Sequence, residues 1–206
     1  ASAEFDIEQV LSAVTNRFAV GPVGCSEVAP IGITFECGIP VAIDGISLPL
    51  GDIVKMLNQD YRFAPWAWDL VIENRFTGIK SRGLYINPAA KLRHAAVDAL
   101  ARTCLNKPTY DEYVQLGRAY GILLYRGEYF SDQREVAEAA GRAVLQRLSG
   151  NVTVHPFPVP YGSRVQSEAA LFRKALATFE SSDYAHADAN GFIKLSWLTS
   201  VGRPFM

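Results

Sequence analysis

The spacing of apolar residues predicts a helix near the start of the chain and a loop after it. Apolar side chains recur every three or four positions between residues 6 and 18, the period of an amphipathic helix. They are Ile7, Val10, Leu11, Val14 and Phe18. Residues 21–30 are rich in glycine and proline and predict a loop. We therefore expect residues 1–30 to form a separate N-terminal segment.

Short strand-like runs joined by a tight turn follow this segment. Residues 31–35 and 41–43 are rich in the β-branched and aromatic side chains that are typical of strands. The pair Asp44-Gly45 predicts a two-residue hairpin turn before Ile46. After Pro49, apolar residues return to helical spacing and predict a second amphipathic helix.

The middle of the chain combines an aromatic segment with two more strands. Residues 61–68 (YRFAPWAW) show no regular period, whereas residues 70–72 and 84–86 are predicted to be strands. Asn87 is suited to cap a long helix whose first position is Pro88.

The second half of the chain alternates long helical patterns with short strands, and residues 171–179 are ambiguous. Ser131 is expected to cap one of the helices, and Gly150 follows its end. Because short strands and long helices are segregated, we predict an α+β fold with a single domain. The predicted elements are helices over residues 110–125 and 131–148 and strands over residues 151–154 and 193–198.

Composition and charge exclude several classes of protein. The 20 basic and 21 acidic residues leave a net charge of -1, so the basic excess of a nucleic-acid-binding protein is absent. No apolar run approaches the roughly 20 residues that span a bilayer, so we expect no membrane segment. The three cysteines are too few for a disulfide framework and favour the cytoplasm. The three histidines lack metal-ligand spacing, so we expect no metal.

Motifs that bind nucleotide phosphates are also absent from the sequence. A phosphate cradle needs several backbone amides turned toward one anion, usually from a glycine-rich loop at the start of a helix. The chain contains no P-loop, no GxGxxG and no Ser-Gly-Gly-x-Asp run. We therefore expect no ATP site within these residues and no organic cofactor.

Residues 71–85, VIENRFTGIKSRGLY, form the motif that identifies a family. This string resembles the signature of the argininosuccinate synthase family, in which ENR, a two-residue gap, G-x-KSRG, one residue and tyrosine occur at this spacing. Residues 38–58, 123–154 and 183–198 also resemble stretches of the family's C-terminal domain. The resemblance covers residues 31–206 and implies largely antiparallel strands, whereas residues 1–30 diverge.

The resemblance implies a ligase function in which this domain has only a part. The family joins citrulline to aspartate: ATP adenylylates the ureido oxygen of citrulline, and the amine of aspartate then displaces AMP. An N-terminal pyrophosphatase-type domain binds the ATP, and the sequence shows no counterpart of it. The C-terminal domain provides part of the citrulline pocket and much of the oligomer interface. A homodimer is therefore expected, without the long C-terminal helix that the family uses for tetramers.

Glu73 and Tyr85 are the candidate catalytic residues. By motif position they correspond to the citrulline-binding glutamate and tyrosine of the family. A carboxylate accepts charge-assisted hydrogen bonds from ammonium or ureido groups, and a phenol donates or accepts at a nearby polar atom. Alternatively, Glu73 pairs with an arginine and holds the turn together. Candidates for substrate binding, or for stiffening this turn, are Arg75, Lys80, Ser81 and Arg82.

Two departures from the family pattern surround the motif. Ile86 stands where the family has an acidic residue, and residues 63–68 replace a glycine-rich, arginine-containing segment. Trp66 and Trp68 lie in this replacement and are further candidates for substrate binding. They are equally suited to cover an exposed apolar surface, to contact a partner or to plug the core.

Three functions remain compatible with the sequence. The favoured hypothesis is an ATP-independent biosynthetic enzyme acting on an amino-acid-derived, amide-like or ureido-like substrate, with Glu73 as general acid or base. The second is one subunit of a split ligase, completed by a separate ATP-binding protein. The third is a non-catalytic binding or assembly module. A closed cavity containing Glu73, Tyr85 and Trp66 would favour the first function, and a co-purifying pyrophosphate-loop protein would favour the second. A flat, open face around Glu73 without a cavity would favour the third.

Overall fold

A computed structural model describes residues 29–61, 64–156, 159–173 and 186–200. The helix predicted over residues 6–18 lies outside these ranges. The chain divides into two units, Ala1–Ala170 and Leu171–Met206. The fold is α+β with short antiparallel strands and long helices, as the sequence predicted.

Seven strands and five α-helices occur in the described residues. The strands are β1 (Ile31–Glu36), β2 (Ile39–Ile43), β3 (Ile46–Ser47), β4 (Trp68–Asn74), β5 (Lys80–Ile86), β6 (Gly150–His155) and β7 (Tyr161–Gln166). The helices are α1 (Leu50–Tyr61), α2 (Pro88–Cys104), α3 (Lys107–Tyr125), α4 (Asp132–Leu145) and α5 (His186–Ser200), and a 3₁₀ turn covers Pro65–Ala67.

The first unit is built on a five-stranded antiparallel sheet in the order β3-β2-β1-β6-β7. Alternate residues of β1 and β6 point inward, as a sheet with one buried face requires. Helix α2 packs on β6 and β7, and α1 packs on β2 and α2. The core between these layers includes Ile33, Phe35, Leu92, Leu100 and Val152, all at most 1% exposed.

Local sequence signals account for several boundaries of the strands and helices. Asp44 and Gly45 both have positive φ, 48° and 81°, so the predicted tight turn between β2 and β3 is confirmed. The side chain of Asn87 accepts a hydrogen bond from the backbone N–H of Ala90 at 3.1 Å, with Pro88 opening helix α2. Ser131 caps helix α4 in the same way.

A polar bridge joins helices α2 and α3. The Oδ2 of Asp98 accepts a hydrogen bond from Nε of Arg102 at 2.7 Å, and its Oδ1 accepts one from the hydroxyl of Tyr110 at 2.5 Å. Burial raises the pKa of Asp98, but the hydrogen bonds from Arg102 and Tyr110 outweigh it, and the net pKa lies below its ordinary value. The bridge is therefore an ionised carboxylate between two helices.

One predicted strand is wrong, and another strand was not predicted. Residues 193–198 lie inside helix α5, where apolar and polar side chains alternate by chance over a few positions. The true period is hidden because the helix is apolar on several sides: Phe192, Leu195 and Trp197 are 74%, 67% and 58% exposed. Strand β7 was missed because Gly162, Ser163 and Arg164 resemble a loop. Its strand conformation is stabilised by pairing with β6.

Smaller differences concern the ends of elements. Helix α3 begins three residues before the predicted start, and α4 ends three residues before the predicted end. Of the ambiguous residues 171–179, the described residues 171–173 form neither helix nor strand. Within the described ranges, no helix has both the length and the apolar character needed to cross a membrane.

Candidate functional site

The candidate site lies on the hairpin formed by β4 and β5. Among the described residues these strands pair only with each other, and their register places Glu73 opposite Ser81, Val71 opposite Gly83 and Asp69 opposite Tyr85. Because side chains alternate between the two faces of a strand, these six residues share one face. The motif therefore folds so that its glutamate and tyrosine meet across the hairpin.

A short loop closes this hairpin and positions Arg75. The N–H of Arg75 donates to the carbonyl of Ile79 at 3.0 Å, and the N–H of Gly78 donates to the carbonyl of Arg75 at 2.9 Å. Gly78 has φ of 80°, a conformation that glycine adopts without strain. The loop turns the chain back so that the arginine stands beside the polar face.

Four side chains of the motif form one hydrogen-bonded cluster around Glu73. The hydroxyl of Tyr85 donates to Oε1 of Glu73, and the hydroxyl of Ser81 donates to Oε2 at 3.1 Å. Ser81 in turn accepts a hydrogen bond from Nε of Arg75 at 2.9 Å. A guanidinium nitrogen of Arg75 lies 3.9 Å from Oε2. Each oxygen of the carboxylate thus has a hydroxyl donor that fixes its orientation.

The electrostatics of the cluster favour a fixed anion. The hydrogen bond from Tyr85, aided by Ser81 and Arg75, holds the pKa of Glu73 below its ordinary value. The same bond to Glu73 raises the pKa of Tyr85. At neutral pH the pair is a carboxylate and a protonated phenol. A general base is usually poised near the working pH, so this arrangement suits ligand binding better than proton transfer.

Lys91 of helix α2 fastens the base of the hairpin. Its ammonium donates to the carbonyls of Trp66 and Trp68 at 2.9 and 3.1 Å and lies 2.8 Å from Oδ1 of Asp69. The start of β4 is therefore tied to a helix that packs in the core. No sequence pattern pointed to this lysine, because its partners include two backbone carbonyls.

Aromatic contacts fasten the tip of the hairpin to the end of α3. The rings of Phe76 and Tyr125 have centroids 5.0 Å apart, and the guanidinium of Arg126 lies 4.7 Å from the centroid of Phe76. Tyr125 is also close enough to contribute to the raised pKa of Tyr85. These contacts were not predicted from the sequence, since Phe76 and Tyr125 are 49 positions apart.

The remaining predicted site residues lie elsewhere. Lys80, Arg82 and Trp68 alternate onto the other face of the hairpin, where Lys80 donates to Oδ1 of Asn74 at 2.5 Å. Trp66 belongs to the hydrophobic core at 7% exposure, with its ring centroid 5.7 Å from that of Tyr61. The structure thus brings Arg75 and Ser81 to the Glu73–Tyr85 pair and does not bring the two tryptophans there.

The face around Glu73 is open. The side chains of Glu73 and Arg75 are 31% and 52% exposed, and Tyr85 is 46% exposed. Grooves of about 710 and 600 Å³ lie elsewhere, the larger between α3, α4 and the β1–β2 turn, and neither is lined by Glu73 or Tyr85. The described ranges contain no group of three or more potential metal ligands. The Glu73 cluster is therefore an open polar surface and not part of either groove.

Comparison with known proteins identifies close relatives. Residues 22–201 match the family model described as arginosuccinate synthase C-terminal domain. The chain is 38% identical to an argininosuccinate synthase from Nitratidesulfovibrio vulgaris over 181 residues, which is 85% of this chain and 45% of that protein. Argininosuccinate synthases from Caulobacter vibrioides and Clostridium kluyveri are 35% and 33% identical, each covering 82% of this chain and 42% and 43% of their own lengths. The chain thus spans less than half the length of these curated relatives.

Proposed function

Because the chain belongs to the argininosuccinate synthase family through the C-terminal domain, we propose that it provides the citrulline-binding wall of an ATP-dependent ligase of that type. The observation that carries the proposal is the oriented Glu73 carboxylate, which accepts hydrogen bonds from Tyr85 and Ser81 on one face of the hairpin.

This cluster has the chemistry to hold an amino acid with a ureido side chain. Each carboxylate oxygen of Glu73 accepts one hydroxyl and retains a further acceptor position. An ammonium or ureido N–H of citrulline would form a charge-assisted bond there. Tyr85 keeps its proton and offers an oxygen at the same place, so the two side chains orient the ligand rather than exchange protons with it.

The open face requires a second wall, which we assign to a nucleotide-binding domain. A bound ligand surrounded on one side only would leave most of its polar groups in water, and small-molecule sites normally bury most of their ligand. The second domain would bring ATP to the ureido oxygen, and the amine of aspartate would then displace AMP. It could be joined to this domain in a longer chain or belong to a separate protein.

The ATP-independent enzyme that the sequence favoured has less support. It requires an enclosed pocket in which Trp66 and Trp68 take the place of a second domain. Trp66 is instead packed in the core, and Trp68 is on the other face of the hairpin from Glu73. A partly exposed Glu73 with a lowered pKa is also poorly suited to general acid catalysis.

Reconstitution of the ligase tests this proposal. The chain is mixed with the part of the Nitratidesulfovibrio vulgaris synthase that it does not match, together with ATP, citrulline and aspartate, and AMP and argininosuccinate are measured. We expect product only from the mixture. Glu73→Gln should lower kcat/KM for citrulline by roughly 10- to 100-fold, since a hydrogen bond to a charged group contributes about 1.5–3 kcal/mol.

The matched control is Glu36→Gln, which alters an exposed glutamate at the end of β1. It should leave kcat/KM unchanged. If Glu73→Gln behaved like this control while the mixture formed product, the assignment of Glu73 to citrulline would be wrong.

A further inference from the structure

We propose that Gly83 is a positioning residue, which leaves the space through which the side chain of Tyr85 reaches Glu73. The inference rests on the function proposed for that pair.

The register of the hairpin shows why space is needed. Tyr85 lies opposite Asp69, whereas Glu73 lies opposite Ser81, four residues away along β5. On the shared face, Gly83 is the position between Ser81 and Tyr85. The phenol must therefore lie along the strand, over Gly83, to bring its hydroxyl to the carboxylate.

The distances at Gly83 agree with this path. A Cβ atom built on Gly83 would lie 2.6 Å from Cε2, 2.9 Å from Cζ and 3.0 Å from the hydroxyl oxygen of Tyr85. The first two separations join carbon atoms and are far below the van der Waals contact distance of about 3.5–4.0 Å for such a pair. Any side chain at this position would push the phenol away from its present place.

The backbone does not itself demand glycine here. Gly83 is paired with Val71 in the ladder, and its φ lies outside the left-handed region that Gly78 occupies. Alanine is therefore compatible with the strand. Because the obstructed atoms belong to the end of an exposed tyrosine, the ring can swing outward without disturbing the hairpin. Gly83→Ala should thus separate Tyr85 from Glu73 in a folded protein.

The first test measures the pKa of the Glu73 carboxyl in the chain alone. Glutamate labelled with ¹³C at the side-chain carboxyl is titrated by NMR, and the Glu73 resonance is assigned by its absence in Glu73→Gln. We expect Tyr85→Phe and Gly83→Ala to raise this pKa by similar amounts and the double variant to raise it no further. Gly51→Ala, at a glycine with no atom within 4 Å of the added Cβ, is the control and should change nothing.

Two outcomes of this titration would contradict the role proposed for Gly83. A Glu73 pKa that rises in Tyr85→Phe but stays at the parent value in Gly83→Ala would overturn it. A pKa that is unchanged in Tyr85→Phe would also overturn it, because the contact that Gly83 is said to permit would not exist in solution.

A second measurement separates this inference from the proposed function. The citrulline dissociation constant of the reconstituted pair should rise by the same factor, roughly 10-fold, in Gly83→Ala and Tyr85→Phe, as expected for loss of about 1.4 kcal/mol. If the Glu73 pKa shifts as expected while all variants bind citrulline equally, Gly83 positions Tyr85 but the proposed citrulline wall is wrong.

Discussion

The contact of Lys91 with the base of the hairpin gives a prediction about stability. Lys91→Met keeps most of the aliphatic stem but removes the ammonium that donates to the carbonyls of Trp66 and Trp68 and pairs with Asp69. The site hairpin would then lose its main polar connection to helix α2.

The expected cost follows from these three contacts. A hydrogen bond that involves a charged group contributes about 1.5–3 kcal/mol, and the side chain of Lys91 is 25% exposed, so we take the lower end for each carbonyl. Asp69 is 52% exposed, and such an ion pair adds at most about 1 kcal/mol. The free energy of unfolding should therefore fall by about 3 kcal/mol. For a domain of this size the melting temperature should drop by roughly 6–12 °C.

Urea unfolding followed by tryptophan fluorescence provides the assay, because Trp66 and Trp68 adjoin the lost contacts. Hydrogen exchange should show the amides of β4 losing protection first. Lys55→Met is the matched control: Lys55 is exposed on α1, and its side chain forms no hydrogen bond or ion pair with other described residues. A loss below about 0.5 kcal/mol for Lys91→Met, equal to that of the control, would show that the contacts of Lys91 do not stabilise the fold.

Four other changes test separate parts of the structure. Phe76→Ala removes the aromatic contacts at the hairpin tip and should cost about 1–2 kcal/mol, with faster hydrogen exchange across β4 and β5 but not in the core. Trp66→Ala should lower the free energy of unfolding by about 3–5 kcal/mol as a core deletion yet leave the citrulline dissociation constant of the reconstituted pair unchanged. Weaker citrulline binding by the fully folded variant would show that Trp66 belongs to the ligand site. Asp98→Asn should lower the free energy of unfolding by about 1 kcal/mol at neutral pH. Because the pKa of Asp98 is depressed in the folded state, this difference in stability between variant and parent should shrink as the pH falls below about 4. The expected homodimer is tested with Leu195→Asp, which places a charge among the exposed apolar residues of α5 and should lower the mass measured by light scattering if that surface joins two copies.

The parts of the fold that local signals determine were predictable from sequence. The turn at Asp44-Gly45 and the helix start at Asn87-Pro88 depend on neighbouring residues and were predicted correctly. Helix α5 was mistaken for a strand because its apolar side chains are exposed and show no one-sided helical period. Strand β7 was missed because its strand conformation depends on pairing with β6 rather than on the strand propensity of its own residues.

The candidate site was predictable to a similar degree. The motif placed Glu73 and Tyr85 on two strand-like segments around a turn, and the structure joins them in one cluster. The burial of Trp66 could not be foreseen, because an aromatic residue in an irregular segment is equally suited to a pocket or a core. The role of Gly83 was not predictable, because it depends on the close approach of the Tyr85 side chain to the Gly83 backbone in the folded hairpin.

A crystal structure of the reconstituted pair with citrulline would show whether the β4–β5 hairpin forms one wall of the citrulline site. On the proposed function, an ammonium or ureido nitrogen of citrulline lies within hydrogen-bonding distance of the Glu73 carboxylate, with the Tyr85 hydroxyl beside it and the nucleotide-binding domain covering the open face. Citrulline bound beyond hydrogen-bonding reach of Glu73, with the Glu73–Tyr85 face still open to solvent, would contradict it.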